Sequence, residues 1–336
     1  YIHNLNNKTF LNLNHTRLSI IDPSESANQP LMDDKGIIVF NGMIYNYLEV
    51  KKKLEKKFEF KTKSDTEVLL KFLNIYGAKN LSLLDGMWSF AYYNFKNQKL
   101  ILSRDRFGEK PLFYFKDDKS FLFGSCLNYI KLLSHKKFKI NFKKIENYLK
   151  FGFRTLNIEN ESLLKKIYSV EPGSFISIDS SLNFQKNFYW KAKLTGHNKK
   201  INFNNEKNKL KSLFTNVIKT RLRSDFPSAC LLSGGVDSSS IVSTANQKLK
   251  KKIDFFSLLP KDKNYDESYY INKTIKKEKI KHEYVSTFKE NKKNFFHLRE
   301  LIKSTSSLVP TTTWFAFSKL CEKIKRKKYK VILTGT

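Results

Sequence analysis

The stretch Leu231-Leu232-Ser233-Gly234-Gly235-Val236-Asp237-Ser238-Ser239 decides the reading of the C-terminal half. The residues from Pro227 to Leu232 predict a strand, and Asp237 to about Leu249 predicts a helix. Between them, Gly234 and Gly235 let backbone amides approach a ligand, because no Cβ intervenes. The following helix aims free N–H groups and its positive dipole end at the same place. The hydroxyls of Ser233, Ser238 and Ser239 add donors. This combination describes an anion site. Asp237 is a negative charge beside it, which fits if Mg²⁺ bridges the carboxylate to phosphate oxygens. The plainer alternative is a Gly-rich turn whose Asp and Ser cap a helix. A strand before and a helix after the whole run favour the anion site. No Gly-Lys-Ser/Thr follows, so the run is not the kinase-type phosphate loop.

Working outward, Leu210, Leu213, Phe214, Val217, Ile218 and Leu222 fall at helical spacing. Beyond the loop come an expected strand at Ile253 to Leu258, a helix near 266–278, a strand at His282 to Val285, a helix near 312–325 and a strand at 329–334. Alternating strand and helix implies a parallel, doubly wound sheet over 205–336. Residues 136–204 are Lys- and Asn-rich and are expected to connect this domain to an earlier one over 1–135, carrying a short helix and a few strands. That first region reads as α+β: antiparallel strands in two layers with helices outside. Its expected strands are Arg17–Ile21, Gly36–Phe40, Met87–Asn94, Lys99–Arg104, Leu112–Phe115 and Ser120–Gly124. Tyr45–Lys57 is expected to be helical. Ser64-Asp65-Thr66-Glu67 opens a second helix as a capping box, and that helix stops near Gly77.

Composition narrows the function classes. No run of about 18 apolar residues is present, so no membrane-spanning helix is expected. Three scattered cysteines, Cys126, Cys230 and Cys321, suit a reducing cytoplasm better than a disulfide framework. The net charge is +32, which raises a nucleic-acid partner as one reading. The 63 basic residues comprise 55 Lys and only 8 Arg. Base-reading surfaces lean on Arg forks, so solvated lysines are the favoured reading and a nucleic-acid partner is not expected. Both ends of the chain look cut: Tyr1 is not an initiator Met, and the last strand runs into Gly335 and Thr336.

The Ser-Gly-Gly-Val-Asp-Ser-Ser run resembles the pyrophosphate loop of enzymes that cleave ATP between the α- and β-phosphates. Three further elements resemble the synthetase domain of the glutamine-hydrolysing asparagine synthetases. They are Phe256-Ser257-Leu258, Tyr265-Asp266-Glu267-Ser268 and Thr334-Gly335-Thr336. The first part resembles class II glutamine amidotransferases in six blocks taken in order. They are His15–Asp22, Gln29-Pro30, Phe40–Asn46, Ser64–Glu67, Gly86–Ala91 and Ser103–Leu112. This resemblance implies an N-terminal-nucleophile fold with an attacking Cys that would lie ahead of Tyr1. It also implies an oxyanion hole from Asn41 and the Gly42 amide, with glutamine lined by Arg17, Leu18, Ser19, Ile20, Ile21 and Met43. Arg17 would meet the α-carboxylate and Asp65 the α-ammonium. ATP would be bound by Leu232, Ser233, Gly234, Gly235, Asp237, Ser238, Ser239, Leu258, Thr334 and Gly335, with Asp237 on Mg²⁺.

Taken singly, each residue has an ordinary structural reading. Arg17 could be a surface ion-pair partner, Asp65 a helix N-terminal charge and Asn41-Gly42 a hairpin turn. Three departures stand out. Met43 replaces the family's Glu after Asn-Gly, so a Glu restored there is expected to lower the glutamine KM. Thr336 stands for the Glu of the family's Ser-Gly-Glu-Gly loop. Ser125-Cys126-Leu127-Asn128 stands for Ser-Glu-Ile-Lys. The resemblance implies amidation of aspartate with glutamine nitrogen, through an aspartyl-adenylate with release of AMP and pyrophosphate, and it allows a homodimer. An enzyme of the same architecture with another carboxylate acceptor, an ammonia-dependent form and a basic nucleic-acid-binding protein are the rival readings.

Overall fold

A computed structural model describes residues 1–6, 9–157, 159–193, 202–250, 253–259, 264, 266–286, 292–305, 308 and 312–335. The chain divides into two compact units, the first being Tyr1–Lys193 with Ile302–Pro310 and the second the remainder.

The first unit, which also takes the last residues of a later helix from Ile302, opens with the hairpin β1 (Ile2–Asn6) and β2 (Thr9–Asn12). After a loop come β3 (Leu31–Met32), β4 (Gly36–Ile44), α1 (Tyr47–Leu54) and α2 (Asp65–Tyr76). There follow β5 (Gly86–Asn94), β6 (Lys99–Arg104), β7 (Phe113–Lys116) and β8 (Phe121–Gly124). The unit continues with α3 (Leu127–Ser134), α4 (Phe142–Phe151), β9 (Tyr168–Ser169), β10 (Ser174–Ile178) and β11 (Phe184–Phe188). Six strands form one antiparallel sheet in the order β11-β10-β6-β5-β4-β3. Period-2 alternation sorts its side chains between two faces. Ile38, Phe40, Phe90 and Tyr92 pack with Val50, Leu54, Val68 and Phe72 of α1 and α2. Ile37, Val39, Ala91 and Leu102 pack on the other face with Leu11, Leu13 and Leu112. This is the expected α+β architecture.

Several local expectations need correction. Arg17–Ile21 is not a strand. Its residues coil because the Arg17 guanidinium donates to the carbonyls of Ile21, Asp22 and Ser24, which an extended chain would carry out of reach. The segment 136–204 is more than a connection. It supplies β10, which pairs with β6 in the main sheet, and β11 at the edge. The first unit therefore reaches Lys193 rather than residue 135. Only half of the capping box forms. Ser64 Oγ accepts from the amides of Thr66 and Glu67, but the Glu67 carboxylate turns to the amides of Lys61 and Thr62. Gly77 does end α2, at φ +67°, where a residue without Cβ is least strained.

The second unit alternates as expected. Its elements are α5 (Phe203–Arg221), β12 (Ser228–Leu231), α6 (Val236–Ser243), β13 (Asp254–Leu259) and α7 (Ser268–Glu278). They continue with β14 (His282–Ser286), α8 (Lys292–Thr305), α9 (Thr312–Arg326) and β15 (Val331–Leu333). The four strands are parallel, in the order β14-β13-β12-β15. Both faces are covered: Ile218, Val242 and Ile271 pack against Cys230 and Phe255 on one, and Leu320 and Ile324 against Ala229 and Phe256 on the other. The helix expected to run to Leu249 ends at Ser243 and widens into a π-helical turn, Thr244–Lys248. There Ser243, Asn246 and Gln247 all hydrogen-bond Glu278, a buried residue of α7. No helix among the described residues is long and apolar enough to cross a membrane.

Candidate active sites of the two units

The first site forms along one edge of β4. β3 pairs with β4 only at Ile37 and Ile38, so among the described residues no strand lies beside residues 40–44 on that side. Gly42 lies opposite Trp88 of β5. Trp88 sends its own N–H to Asp105 Oδ2 and takes the Asp105 N–H on its carbonyl, both away from β4. In an antiparallel ladder this makes Gly42–Trp88 a non-hydrogen-bonded pair, so the Gly42 N–H points out from the sheet edge. The amides two residues either side also point outward and are already taken. Phe40 N donates to Gln29 Oε1 at 2.6 Å, and Ile44 N donates to Asp65 Oδ2 at 2.9 Å. Gly42 N–H is thus an edge donor held between two anchored neighbours. Asn41-Gly42 is therefore part of a strand and not a hairpin turn. A Cβ at position 42 would lie 2.1 Å from the Met87 carbonyl oxygen, so the close approach of β5 demands glycine.

Asp65, the first residue of α2, is 6% exposed. Burial pushes its carboxyl up to about 6, against the amides of Ile44 and Thr66 and the charge of Arg17, which pull it down. A buried carboxylate in this condition is one a cation would stabilise. Arg17 organises the facing loop through three carbonyl bonds, the shortest 2.6 Å to Asp22 O. Asp22 locks the loop to the residue before Ser64: Oδ1 accepts from Ser24 N and Oγ, and Oδ2 from Lys63 N at 2.7 Å. Burial raises the Asp22 pKa, but these hydrogen bonds outweigh it and hold the carboxylate below its ordinary range. Of the other residues expected to line glutamine, Leu18 is exposed, whereas Ile20 and Ile21 pack on the apolar core. Met43 is only 3% exposed and belongs to that same core. Its thioether carries no charge to offer a ligand ammonium beside the carboxylate of Asp65.

Sequence reasoning gave no role to three residues that build this site. Gln29 and Asp22 lie in the matched blocks but make their bonds only in three dimensions. Asp105 is fully buried and accepts four backbone amides, from Trp88, Phe107, Glu109 and Lys110, at 3.0–3.2 Å. It thereby braces Trp88, the strand partner of Gly42.

The second site lies at the C-terminal ends of β12 and β15, where the strand order reverses direction and open parallel sheets bind ligands. Gly234 has φ +87°, and a Cβ there would sit 3.2 Å from the Glu267 carbonyl oxygen and from Tyr270 of α7. Gly235 is the N-cap of α6. The Ser238 hydroxyl, buried, lies 3.0 Å from Ser233 Oγ and accepts from Ser233 N at 3.2 Å, closing the loop on itself. Ser239 Oγ faces Thr274 of α7 at 3.4 Å. A Cβ on Gly335 would meet Ser238 N at 2.8 Å, so the loop after β15 lies against the loop after β12. Leu232 is buried and spends its backbone on the sheet, donating to Phe256 O and accepting from Ser257 Oγ. Leu258 is partly buried against the second core face. Tyr265 and Thr336 lie outside the described residues. Asp237 sits exposed in the first turn of α6. One free carboxylate beside an anion cradle suits Mg²⁺, which takes one or two carboxylates and completes its shell with phosphate oxygens and water. Among the described residues no group of three or more His, Cys, Asp or Glu could hold a metal without such a ligand.

A glycine-edged antiparallel sheet followed by a parallel sheet with a Gly-Gly loop at its switch point sets the two-domain class of the chain. The glutamine amidotransferase domain family matches residues 3–190, and the asparagine synthase family matches residues 209–336. The chain belongs to the glutamine-hydrolysing asparagine synthetase family. A relative from Methanocaldococcus jannaschii is 33% identical over 312 residues, covering 84% of this chain and 57% of its own length. The asparagine synthetase [glutamine-hydrolyzing] 1 of Bacillus subtilis is 35% identical, over 69% of this chain and 36% of its own. The human asparagine synthetase [glutamine-hydrolyzing] is 30% identical, over 74% of this chain and 43% of its own. The chain thus spans between about a third and three fifths of the length of these relatives.

Proposed function

We propose that the protein amidates aspartate to asparagine with ATP, using ammonia released from glutamine in the first unit. The observation that carries this is the meeting of the Ser233–Ser239 loop with the Thr334-Gly335 loop at the strand-order reversal. An aspartate β-carboxylate oxygen attacks the α-phosphorus, the bond to the β-phosphate oxygen breaks, and pyrophosphate leaves. Ammonia then attacks the acyl carbon, AMP departs with the bonding pair, and the surplus proton goes to solvent. The amides of Gly234 and Gly235, the start of α6 and the hydroxyls of Ser233, Ser238 and Ser239 hold the pyrophosphate as charge builds on it. Leu232 fixes where the loop begins, Leu258 borders the base, and Thr334 and Gly335 border the α-phosphate. Asp237 would hold Mg²⁺, which neutralises phosphate charge.

In the first unit, Gly42 N–H and the Asn41 amide stabilise the oxyanion of the glutamine side chain as it is attacked. Arg17 meets the α-carboxylate with its charge and with the N–H groups it does not spend on its own loop, and residues 18–21 border the substrate backbone. Asp65 meets the α-ammonium alone, because Met43 has no charge to share it. The three cysteines are unpaired, in keeping with a cytoplasmic protein. Incubating the intact protein with ATP, aspartate and glutamine should give AMP and pyrophosphate in equal amounts with asparagine. ADP and phosphate would contradict the reading.

A further inference from the structure

The edge of β4 poses a mechanical problem. The Gly42 N–H is useful only if it keeps one direction, yet among the described residues no neighbouring strand lies on that side of residues 40–44 to hold them. Side chains substitute for that strand. Gln29 Oε1 takes the Phe40 amide at 2.6 Å, and the other arm of the same amide, Nε2, donates to Thr66 Oγ1 at 3.3 Å. The Phe40 N–H requires an oxygen, so the orientation of the Gln29 amide is fixed and its NH₂ must face Thr66. On the far side of Gly42, Asp65 takes the Ile44 amide at 2.9 Å. Thr66 and Asp65 are the first two residues of α2. Both anchors of the strand edge therefore converge on one turn of one helix. The Phe40 carbonyl is held in addition by the His15 imidazole. Among the described residues its buried Nδ1 has no hydrogen-bond partner.

We infer that Gln29 is a positioning residue that locks the oxyanion-binding edge of β4 to the carboxylate-bearing start of α2, so that the two ends of a bound glutamine are read by one rigid element. The inference rests on the reading of Asn41, Gly42 and Asp65 given above. Gln29 touches no reacting atom. It sets the distance between the amide that meets the developing oxyanion and the carboxylate that meets the ammonium. Because the oxyanion exists only in the transition state, loosening this link falls on kcat more than on KM.

The test compares Gln29→Met, which has similar length and no hydrogen bonds, with Gln29→Glu, which still accepts from Phe40 and can accept from the Thr66 hydroxyl. Glutamine hydrolysis and ammonium-dependent AMP formation are measured on the same preparations of the intact enzyme. Gln29→Met should lower kcat for glutamine hydrolysis about tenfold or more, as misplaced catalytic groups do, while KM changes about threefold or less. Ammonium-dependent AMP formation should be unchanged, and Gln29→Glu should restore most of kcat. A Gln29→Met kcat within about twofold of the unsubstituted enzyme overturns the inference, and so does a parallel loss of the ammonium-dependent reaction. If Gln29→Met does not fold, a Gln29→Glu kcat reduced tenfold or more overturns it too. If the unsubstituted enzyme hydrolyses no glutamine, the reading of the site falls and the inference falls with it. Hydrolysis that survives Gln29→Met defeats the inference alone.

Discussion

The two units meet charged ligands in opposite ways. In the first, the groups are engaged before any ligand arrives, Asp65 and Asp105 buried and Arg17 half-buried. Arg17 is bonded to three carbonyls, Asp65 holds the Ile44 amide, and Asp105 braces the neighbouring strand with four bonds. In the second, the loop is held by its own serines, while Asp237 and Gly235 are exposed. A zwitterion with two fixed charges rewards prepared single-charge partners. A phosphate chain rewards many weak donors and a helix end, which cost little to expose. Rigidity is thus concentrated in the first unit, and substitutions there should have sharper effects.

The largest effect is expected at Gly42. Gly42→Ala drives a methyl into the Met87 carbonyl and should lower glutamine hydrolysis at least about a hundredfold, the scale of losing an oxyanion donor. Ammonium-dependent AMP formation should persist. Loss of both activities together would mean that the strand is a folding element rather than a site. Next comes Met43→Glu. The resemblance expects it to lower the glutamine KM, and its buried position adds a stability cost while no ligand ammonium pairs with the new carboxylate. It should cost about 2–4 kcal/mol of stability by denaturant melt, as uncompensated buried polar groups do. An unaltered melt with a lower KM would contradict that stability cost.

Asp65 separates binding from stability. Its folded pKa lies near 6, above the ordinary 3.8, so the ligand-free fold prefers it protonated. That contribution is fully present below pH 3.8 and is lost as pH rises through about 6. Asp65→Asn should therefore raise ligand-free stability at pH 7.5 by about 2 kcal/mol and give no gain below pH 3.8, while the glutamine KM rises about tenfold or more. In the unsubstituted enzyme, glutamine KM should climb as pH falls below about 6, because the neutral carboxyl no longer pairs with ammonium. A KM flat from pH 5 to 8 would remove Asp65 from the ammonium site. The smallest effect belongs to the second unit: Gly335→Ala presses on the Ser238 backbone, but two loops can part. Its ATP KM should rise only about threefold to tenfold, since a loop can yield where a strand pair cannot.

This contrast also explains what the sequence made legible. The phosphate site is written locally. Strand, Gly-Gly turn and helix are contiguous, so Ser233 to Ser239 could be assigned a geometry from spacing alone. The first site is assembled from residues 15–24, 29, 40–44, 65 and 105, which meet only through strand pairing and side-chain bonds. Nothing in the local pattern says that Gln29 bridges a strand edge to a helix start, or that Met43 turns inward. The place of β10 in the main sheet was missed for the same reason, because its partner β6 lies about seventy residues earlier. The Arg17–Ile21 run failed as a strand because a guanidinium aimed at its own chain competes with extension, and composition does not register that.

The most direct measurement is isotope transfer in the intact enzyme. Aspartate labelled with ¹⁸O in its β-carboxylate is turned over with ATP and an ammonia source, and the phosphorus products are analysed by ³¹P NMR. The account predicts one ¹⁸O on the phosphorus of AMP and none in pyrophosphate. Label in inorganic phosphate, or AMP free of label, would contradict attack at the α-phosphorus and with it the reading of the Leu231–Ser239 loop.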